Sequence, residues 1–464
     1  MRYYYPAYYG FSMKVNKKKA SIDFTQGDLT KGIIKFAIPF FLASIFNELY
    51  NITNSMIVGN YISTKALSAV SACTWICNIF NYTFFGLGTG AGIVIANLYG
   101  AKDKEKLKKA VDTALVFAIV GGLLLTVVSE LSLPFLMKIC NIAPDIYEDA
   151  SQYLRVYLLG NSAVLTYQMC FFILRSFGDT KHPLLFLVIS SIINISLGLY
   201  FVRVLNMSVV GTAIATIIAQ FVVDILSLRL LLKMDEIKFD IHNIEFSFEY
   251  VGKICSLGIP AGIQNMLIAL SSLGIQSYVN QFPNEVIAGI GVAEKTAAWA
   301  QMPSMALSNA VVSIVSQNMG AKNYDRVHEA IRKVVIMSCI TVAVSITLMY
   351  IFANRIVSLF DNDPEVIMHA TKMVRVMVFS YIFLNLSHVF NGANRAAGNV
   401  RAPMIIAVLS QVVGKFLFVY IGLKIVYSVN ILYAGSAFGY TLAGIFATIY
   451  FFTSSYVKEL GLRE

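Results

Sequence analysis

The 464-residue chain is 57% hydrophobic and only 13% charged, with a mean hydropathy of +0.68 and a formal charge of +10. A water-soluble chain is about half apolar and about a quarter charged, so a soluble globular fold is excluded. The excess of Lys and Arg would suit a nucleic-acid binder, but its placement between long apolar stretches excludes that class too.

In chain order, residues 1–30 are aromatic, then basic and polar, and read as a cytoplasmic N-terminal segment. They contain no apolar core ahead of a small-residue cleavage site, so no signal peptide is expected. Six apolar stretches follow at about 33–59, 66–98, 108–135, 146–174, 183–203 and 208–232. A mixed segment at 233–249 leads to six more, at about 250–280, 286–318, 330–354, 366–394, 402–423 and 431–456, before a short tail at 458–464. Each stretch can cross a hydrocarbon core of about 30 Å as a helix, and the alternating strands of a membrane barrel are absent. With the N-terminus inside, most of the 36 Lys and Arg fall on inside segments, among them Lys102, Lys104, Lys106, Lys322 and Arg326, and others such as Lys108, Lys109 and Lys333 sit at the inside ends of spans. The outside segments hold Lys65, Lys138, Arg203, Arg355 and Lys424. This bias predicts a multi-pass inner-membrane protein with both termini cytoplasmic.

The chain repeats itself. Ala96-Asn97-Leu98-Tyr99-Gly100-Ala101-Lys102 returns as Ser316-Gln317-Asn318-Met319-Gly320-Ala321-Lys322, and the run from Arg175 through Gly178 to Pro183 returns from Arg395 through Gly398 to Pro403. Both offsets are 220 residues; Ile38-Pro39 and Ile259-Pro260 match at 221. Repetition at one spacing indicates duplicated architecture. Six spans return the chain to its starting side, so both halves share one topology. The expected fold is all-α: twelve transmembrane helices in two six-helix lobes, related by a pseudo-two-fold axis along the membrane normal. The N-lobe takes residues 31–232, the cytoplasmic linker 233–249 and the C-lobe 250–457. Two lobes with a cleft between them suit alternating access.

Several landmarks stand in order along nearly the whole chain. They are Leu49-Tyr50-Asn51 with Val58-Gly59, Tyr99-Gly100-Ala101-Lys102, Arg175 with Gly178-Asp179-Thr180, Gly211-Thr212-Ala213, Gln317-Asn318-Met319-Gly320 and Gly392-Ala393-Asn394-Arg395. Together they resemble the MATE (multidrug and toxic compound extrusion) family. The resemblance implies antiport of small organic molecules, often amphipathic cations, against H⁺ or Na⁺. It implies no cofactor beyond the coupling ion, and a small organic substrate and the lipid bilayer as partners, without nucleic acid or an obligate protein partner. The chain also departs from that pattern. Asn54 stands where many prokaryotic members carry an Asp, and Gly198 stands four residues after the matching Asn194, where one branch has a second Asp. Thr216 matches the sixth-span Thr of that same site. No acid lies between Ile254 and Phe282, or between Val366 and Arg395.

An acid inside a membrane span is costly and therefore a functional candidate. Glu48 sits near the middle of the first span, and Ser44, Asn47, Asn51, Asn54 and Ser55 share one helical arc with it. Such a face belongs toward the lobe interior or the cleft, where Glu48 could carry a proton. A buried, structural Glu48 is the plainer alternative. Glu294 is the C-lobe candidate, Gln264 heads the polar stripe of the seventh span, and Lys415 must be paired or face water. Asp112 and Asp224 read as structural. The six cysteines are scattered and read as packing thiols, with no metal site. A lipid or lipid-linked oligosaccharide flippase shares the two-lobe plan and would carry a more cationic cavity. A membrane receptor or enzyme is a further rival, but His-Glu-x-x-His, Gly-x-Ser-x-Gly and phosphate-binding loops are all missing, so enzyme chemistry is not expected.

Overall fold

The computed structural model describes residues 21–462 apart from 141, 235, 236, 238–242 and 461. Among the described residues every regular element is helical. The first half holds α1 (Leu29–Tyr61), α2 (Thr64–Gly100), α3 (Lys104–Ile139), α4 (Tyr147–Leu159), α5 (Asn161–Ser176), α6 (Lys181–Arg203) and α7 (Val209–Leu232). The second holds α8 (Phe248–Val279), α9 (Asn284–Gly320), α10 (Tyr324–Val357), α11 (Pro364–Met377), α12 (Tyr381–Ala396), α13 (Arg401–Ala407), α14 (Lys415–Ile425) and α15 (Val429–Thr453), and a short α16 (Ser455–Glu459) follows. These helices coincide with the predicted spans to within a few residues. Ten helical stretches are long and apolar enough to cross a membrane, and α4 with α5, bent by 48° at Gly160, makes an eleventh. α9 is long enough at 37 residues, but it carries Glu294, Lys295, Gln301 and Asn309 and falls outside that set.

The two halves correspond in detail. Lys102 and Lys322 both take left-handed backbone (φ 57° and 56°), as do Gly178 and Gly398 (φ 75° and 93°), each pair 220 residues apart. Asp103 caps α3 by accepting from Lys106 N, and Asn323 caps α10 by accepting from Arg326 N. A tight turn therefore ends span two and launches span three in each lobe. The linker is tied to the N-lobe by Asp112, which accepts from Lys108 Nζ at 3.0 Å and from Glu245 N at 3.1 Å, while Lys108 also donates to the Asn243 carbonyl. Asp112 is thus structural, as expected. One departure from symmetry is a π-helical stretch, Val408–Gly414, between α13 and α14; α6, its N-lobe counterpart, is regular.

Two seams join the lobes, α1 against α9 and α2 against α8, and α2 also meets α9. At the closed end the contact is reciprocal: a Cβ at Gly100 would overlap the Gln317 carbonyl, and a Cβ at Gly320 would overlap the Asn97 carbonyl. A patch that meets its own repeat is what a two-fold relation requires. Further along, Gly86 and Gly90 of α2 lie backbone to backbone with Gly258 and Gly262 of α8. The equivalent positions in the other seam hold Ala306, Ala310, Ala37 and Phe41, so α1 and α9 cannot approach as closely.

Residues 22–27 strap the closed end. Phe24 N donates to Gln317 Oε1 at 2.9 Å, Gln317 Nε2 donates to the Ser176 carbonyl at 2.7 Å, and Ile22 N donates to the Phe177 carbonyl. Arg326 donates to the carbonyls of Phe24 and Gly27. The Phe24 ring is fully buried against Phe36.

The glycine seam makes a stability prediction. Gly100→Ala and Gly320→Ala should each cost at least about 1–3 kcal/mol, because the added carbon meets backbone that cannot step aside. Gly252→Ala, where a Cβ meets nothing within 4 Å, should be neutral or stabilising by up to about 1 kcal/mol. Thermal unfolding of the three purified variants in detergent checks this ordering.

Candidate functional site

Two chambers of 540 Å³ each open within the helical framework. The first is a cleft between the lobes, reached by α2 and α5 from one side and by α8, α9, α12 and α15 from the other. The second lies inside the N-lobe among α1, α2, α4, α5, α6 and α7. Asn81, Phe85 and Gln168 line both, so one layer of side chains separates them.

The N-lobe chamber is polar but uncharged. α1 turns Ser44, Asn47, Asn51 and Asn54 into it, the arc expected from the helical wheel, and α7 adds Thr216 and Gln220. Buried Asn194 donates from Nδ2 to Thr216 Oγ1 at 2.8 Å, and Thr216 donates in turn to the Thr212 carbonyl. The Tyr50 hydroxyl interacts with the side chains of Asn54 and Thr216. Among the described residues no Asp or Glu lines this chamber. Glu48 sits at the edge of the same face, partly buried, and lines neither chamber. One turn beyond Gln220 is Asp224, a buried carboxylate whose Oδ1 has no hydrogen-bond partner. From α5, Tyr167 and Cys170 lie within electrostatic reach of it, and Tyr167 also lines the chamber.

The cleft gathers Gln264, whose Oε1 is buried and unpartnered, with Ser308, Asn309, Asn391 and His388. Its rings come from Tyr82, Phe85, Phe172 and Tyr440. Two arginines line it, Arg175 at the end of α5 and Arg395 at the end of α12, and among the described residues it has no carboxylate. Glu294 lies elsewhere, in a smaller C-lobe chamber of 160 Å³ that it shares with Lys415, Trp75 and Gln276. Lys415 is buried there, within electrostatic reach of Glu294. The sequence thus pointed to three residues of one network (Asn54, Asn194, Thr216), to Asn51 on the wall of the same chamber, and to one residue of the cleft (Gln264). It left Arg175, Arg395 and Asp224 without a site role. The 220-residue pairing of the arginines was the signal that could have placed both at a shared interface.

The profile of the MatE family matches this chain twice, over residues 39–200 and 260–421, one match per lobe. The chain belongs to the MATE family. That membership makes it a multi-pass membrane transporter rather than an enzyme. Among its relatives is the multidrug resistance protein YoeA of Bacillus subtilis, 28% identical over 387 residues, covering 81% of this chain and 83% of that one. The multidrug export protein MepA of Staphylococcus haemolyticus is 25% identical over 393 residues (83% and 85%). Among solved structures, an outward-facing multidrug resistance MATE transporter of the MOP superfamily superposes with a TM-score of 0.88 at 20% identity, covering 95% and 98% of the two chains. A Pyrococcus furiosus MOP transporter, described as having a binding pocket of reverse polarity, superposes at 0.86 with 20% identity (94% and 98%). At that identity the likenesses establish the fold alone, with two lobes of six helices.

Asn194→Ala should cost about 1–3 kcal/mol, since it removes the donor to Thr216 and leaves space between α6 and α7. The measurement is the thermal unfolding midpoint, with Asn78→Ala on the open wall of the same chamber as the comparison that should move little.

Proposed function

We propose that the chain exports small organic compounds by alternating access, in exchange for H⁺ or Na⁺, with substrate in the cleft and the coupling ion in the N-lobe chamber. The observation that carries this reading is the pair of chambers with a common wall: a ligand in one bears on Asn81, Phe85 and Gln168, which also border the other. The relatives named for multidrug resistance and export support the substrate class. The basic loops at Lys102 and Lys322 support an orientation with the strapped end cytoplasmic and the cleft facing outward. Turning inward requires residues 22–27 and the Gly100–Gln317 contact to part, and an ion gradient supplies the work. One pH unit is about 1.4 kcal/mol per proton, enough for tenfold accumulation.

The coupling ion needs a group whose charge it changes. Asn54, Asn194, Thr216 and Tyr50 can ligate a cation but carry no charge. Asp224 carries one, and a buried carboxylate with an unpaired oxygen gains from taking up a proton or a small cation. Gln220 connects it to the chamber. Glu48, at the edge of the α1 polar face, is the other acid that could serve.

In liposomes loaded with a fluorescent organic substrate, an imposed proton or Na⁺ gradient should drive movement that Asp224→Asn abolishes and Glu48→Gln leaves within about twofold. Loss in Glu48→Gln with Asp224→Asn intact returns the coupling role to α1. Movement insensitive to both gradients rejects ion-coupled antiport.

A further inference from the structure

Arg175 and Arg395 occupy equivalent positions, 220 residues apart, yet their surroundings differ. Arg175 is tied across the cleft: its Nη2 donates to both the carbonyl and Oδ1 of Asn309, each at 2.8 Å. Its guanidinium also sits 5.8, 5.0 and 5.5 Å from the ring centres of Phe36, Phe40 and Phe172. For Arg395 the pseudo-two-fold replaces that whole cage. Phe36 becomes Leu257, Phe40 becomes Ala261, Phe172 becomes Gly392, and Asn309 becomes Thr89. Three rings are exchanged for an aliphatic side chain, a methyl group and nothing. The result is a guanidinium that lines the cleft with its Nε buried and unpartnered.

Charge sharpens the asymmetry. The two guanidinium groups are near enough to act on each other, and His388, two turns before Arg395 on α12, lies within reach of Arg395 as well. With no carboxylate among the described residues lining the cleft, two like charges face a low-dielectric cavity without an acidic partner on its wall. A planar guanidinium fork recognises carboxylate, sulfonate or phosphate in a paired geometry that an organic cation cannot use. Beside it, Tyr82, Phe85, Phe172 and Met305 offer an apolar wall.

We propose that the cleft binds an amphipathic organic anion, its acidic group on the open fork of Arg395 with Arg175 behind, and its apolar body against α2, α5 and α9. This rests on the exporter reading and fixes its substrate class as anionic, against the amphipathic cation that the family resemblance implies. The site is asymmetric by construction. One arginine is caged as part of the wall, and its repeat partner is uncaged to meet the ligand.

The test uses the purified full chain in detergent with two fluorescent probes, carboxyfluorescein as anion and ethidium as cation, read by anisotropy. Wild type should bind carboxyfluorescein, with binding weakened at least tenfold in Arg395→Gln and kept within a few-fold in Arg395→Lys. Ethidium binding should not fall in either variant. Wild type binding ethidium but not carboxyfluorescein overturns the proposal without recourse to any variant, and so does carboxyfluorescein binding that Arg395→Gln leaves unchanged. In vesicles, the source of the anion is separated by following carboxyfluorescein beside NBD-labelled phosphatidylglycerol, with NBD-labelled phosphatidylcholine as the neutral control. Arg395-dependent movement of the dye marks a soluble substrate, and that of phosphatidylglycerol alone marks a lipid; either supports an anion site. If ethidium moves and neither anion does, the anion site fails and the exporter reading stands. If nothing moves, both fail.

Discussion

The backbone contact of Gly100 with Gln317, and of Gly320 with Asn97, is the constraint on which the other features depend. Helix ends from opposite lobes can touch there only because neither glycine has a side chain. Closing that end fixes where the cleft can open, brings Ser176 within reach of Gln317, and sets Arg175 and Arg395 one residue before Ser176 and Ala396, whose carbonyls accept from Gln317 and Ser316. Because the contact is reciprocal, it marks where the pseudo-two-fold axis relating the two lobes passes. The second set of glycines, on α2 and α8, then makes one seam tighter than its twin. The two-fold relation is strict at the closed end and relaxed further along.

That relaxation is where a duplicated transporter acquires different parts. The N-lobe chamber is walled by amides, hydroxyls and phenols, with its acid set back at Asp224. The C-lobe carries a smaller chamber with an opposed pair, Glu294 and Lys415, beside a π-helical stretch that its N-lobe counterpart lacks. In the cleft, the same arginine is caged on one side and bare on the other. Each difference arises from exchanging large side chains for small ones, or charged for neutral, at positions the repeat holds in common.

Much of this was legible in the sequence because membrane burial makes helices conspicuous and a duplication doubles every landmark. Spans, lobes, the linker and the polar arc of α1 follow from apolar length, a fixed offset and 100° per residue. Asn194 and Thr216 could be named from motif resemblance, and they do touch. What stayed hidden depends on contacts between distant segments. Arg175 and Arg395 look like span-end charges until the helices that flank them are in place. Asp224 reads as an acid near a helix end, and only packing shows that its Oδ1 is buried without a hydrogen-bond partner among the described residues. The role of residues 22–27 had no periodic signal at all, since a strap held by main-chain hydrogen bonds leaves little mark on composition. Glu48 stood out on the helical wheel, but an arc of 120° is too coarse to separate the edge of a chamber from its wall.

The strap has a consequence for how the protein is made. Phe24 is hydrogen-bonded to a residue 293 positions later in the chain. Synthesis and membrane insertion run from the N-terminus, so the N-lobe is complete well before its clasp exists. Throughout that interval the ring of Phe24 lacks the C-lobe residues it packs among, such as Ala310 and Ile314. The last joint to close is therefore made by a segment translated ahead of the whole N-lobe, and a chain that stops short of α9 leaves Phe24 without its Gln317 partner.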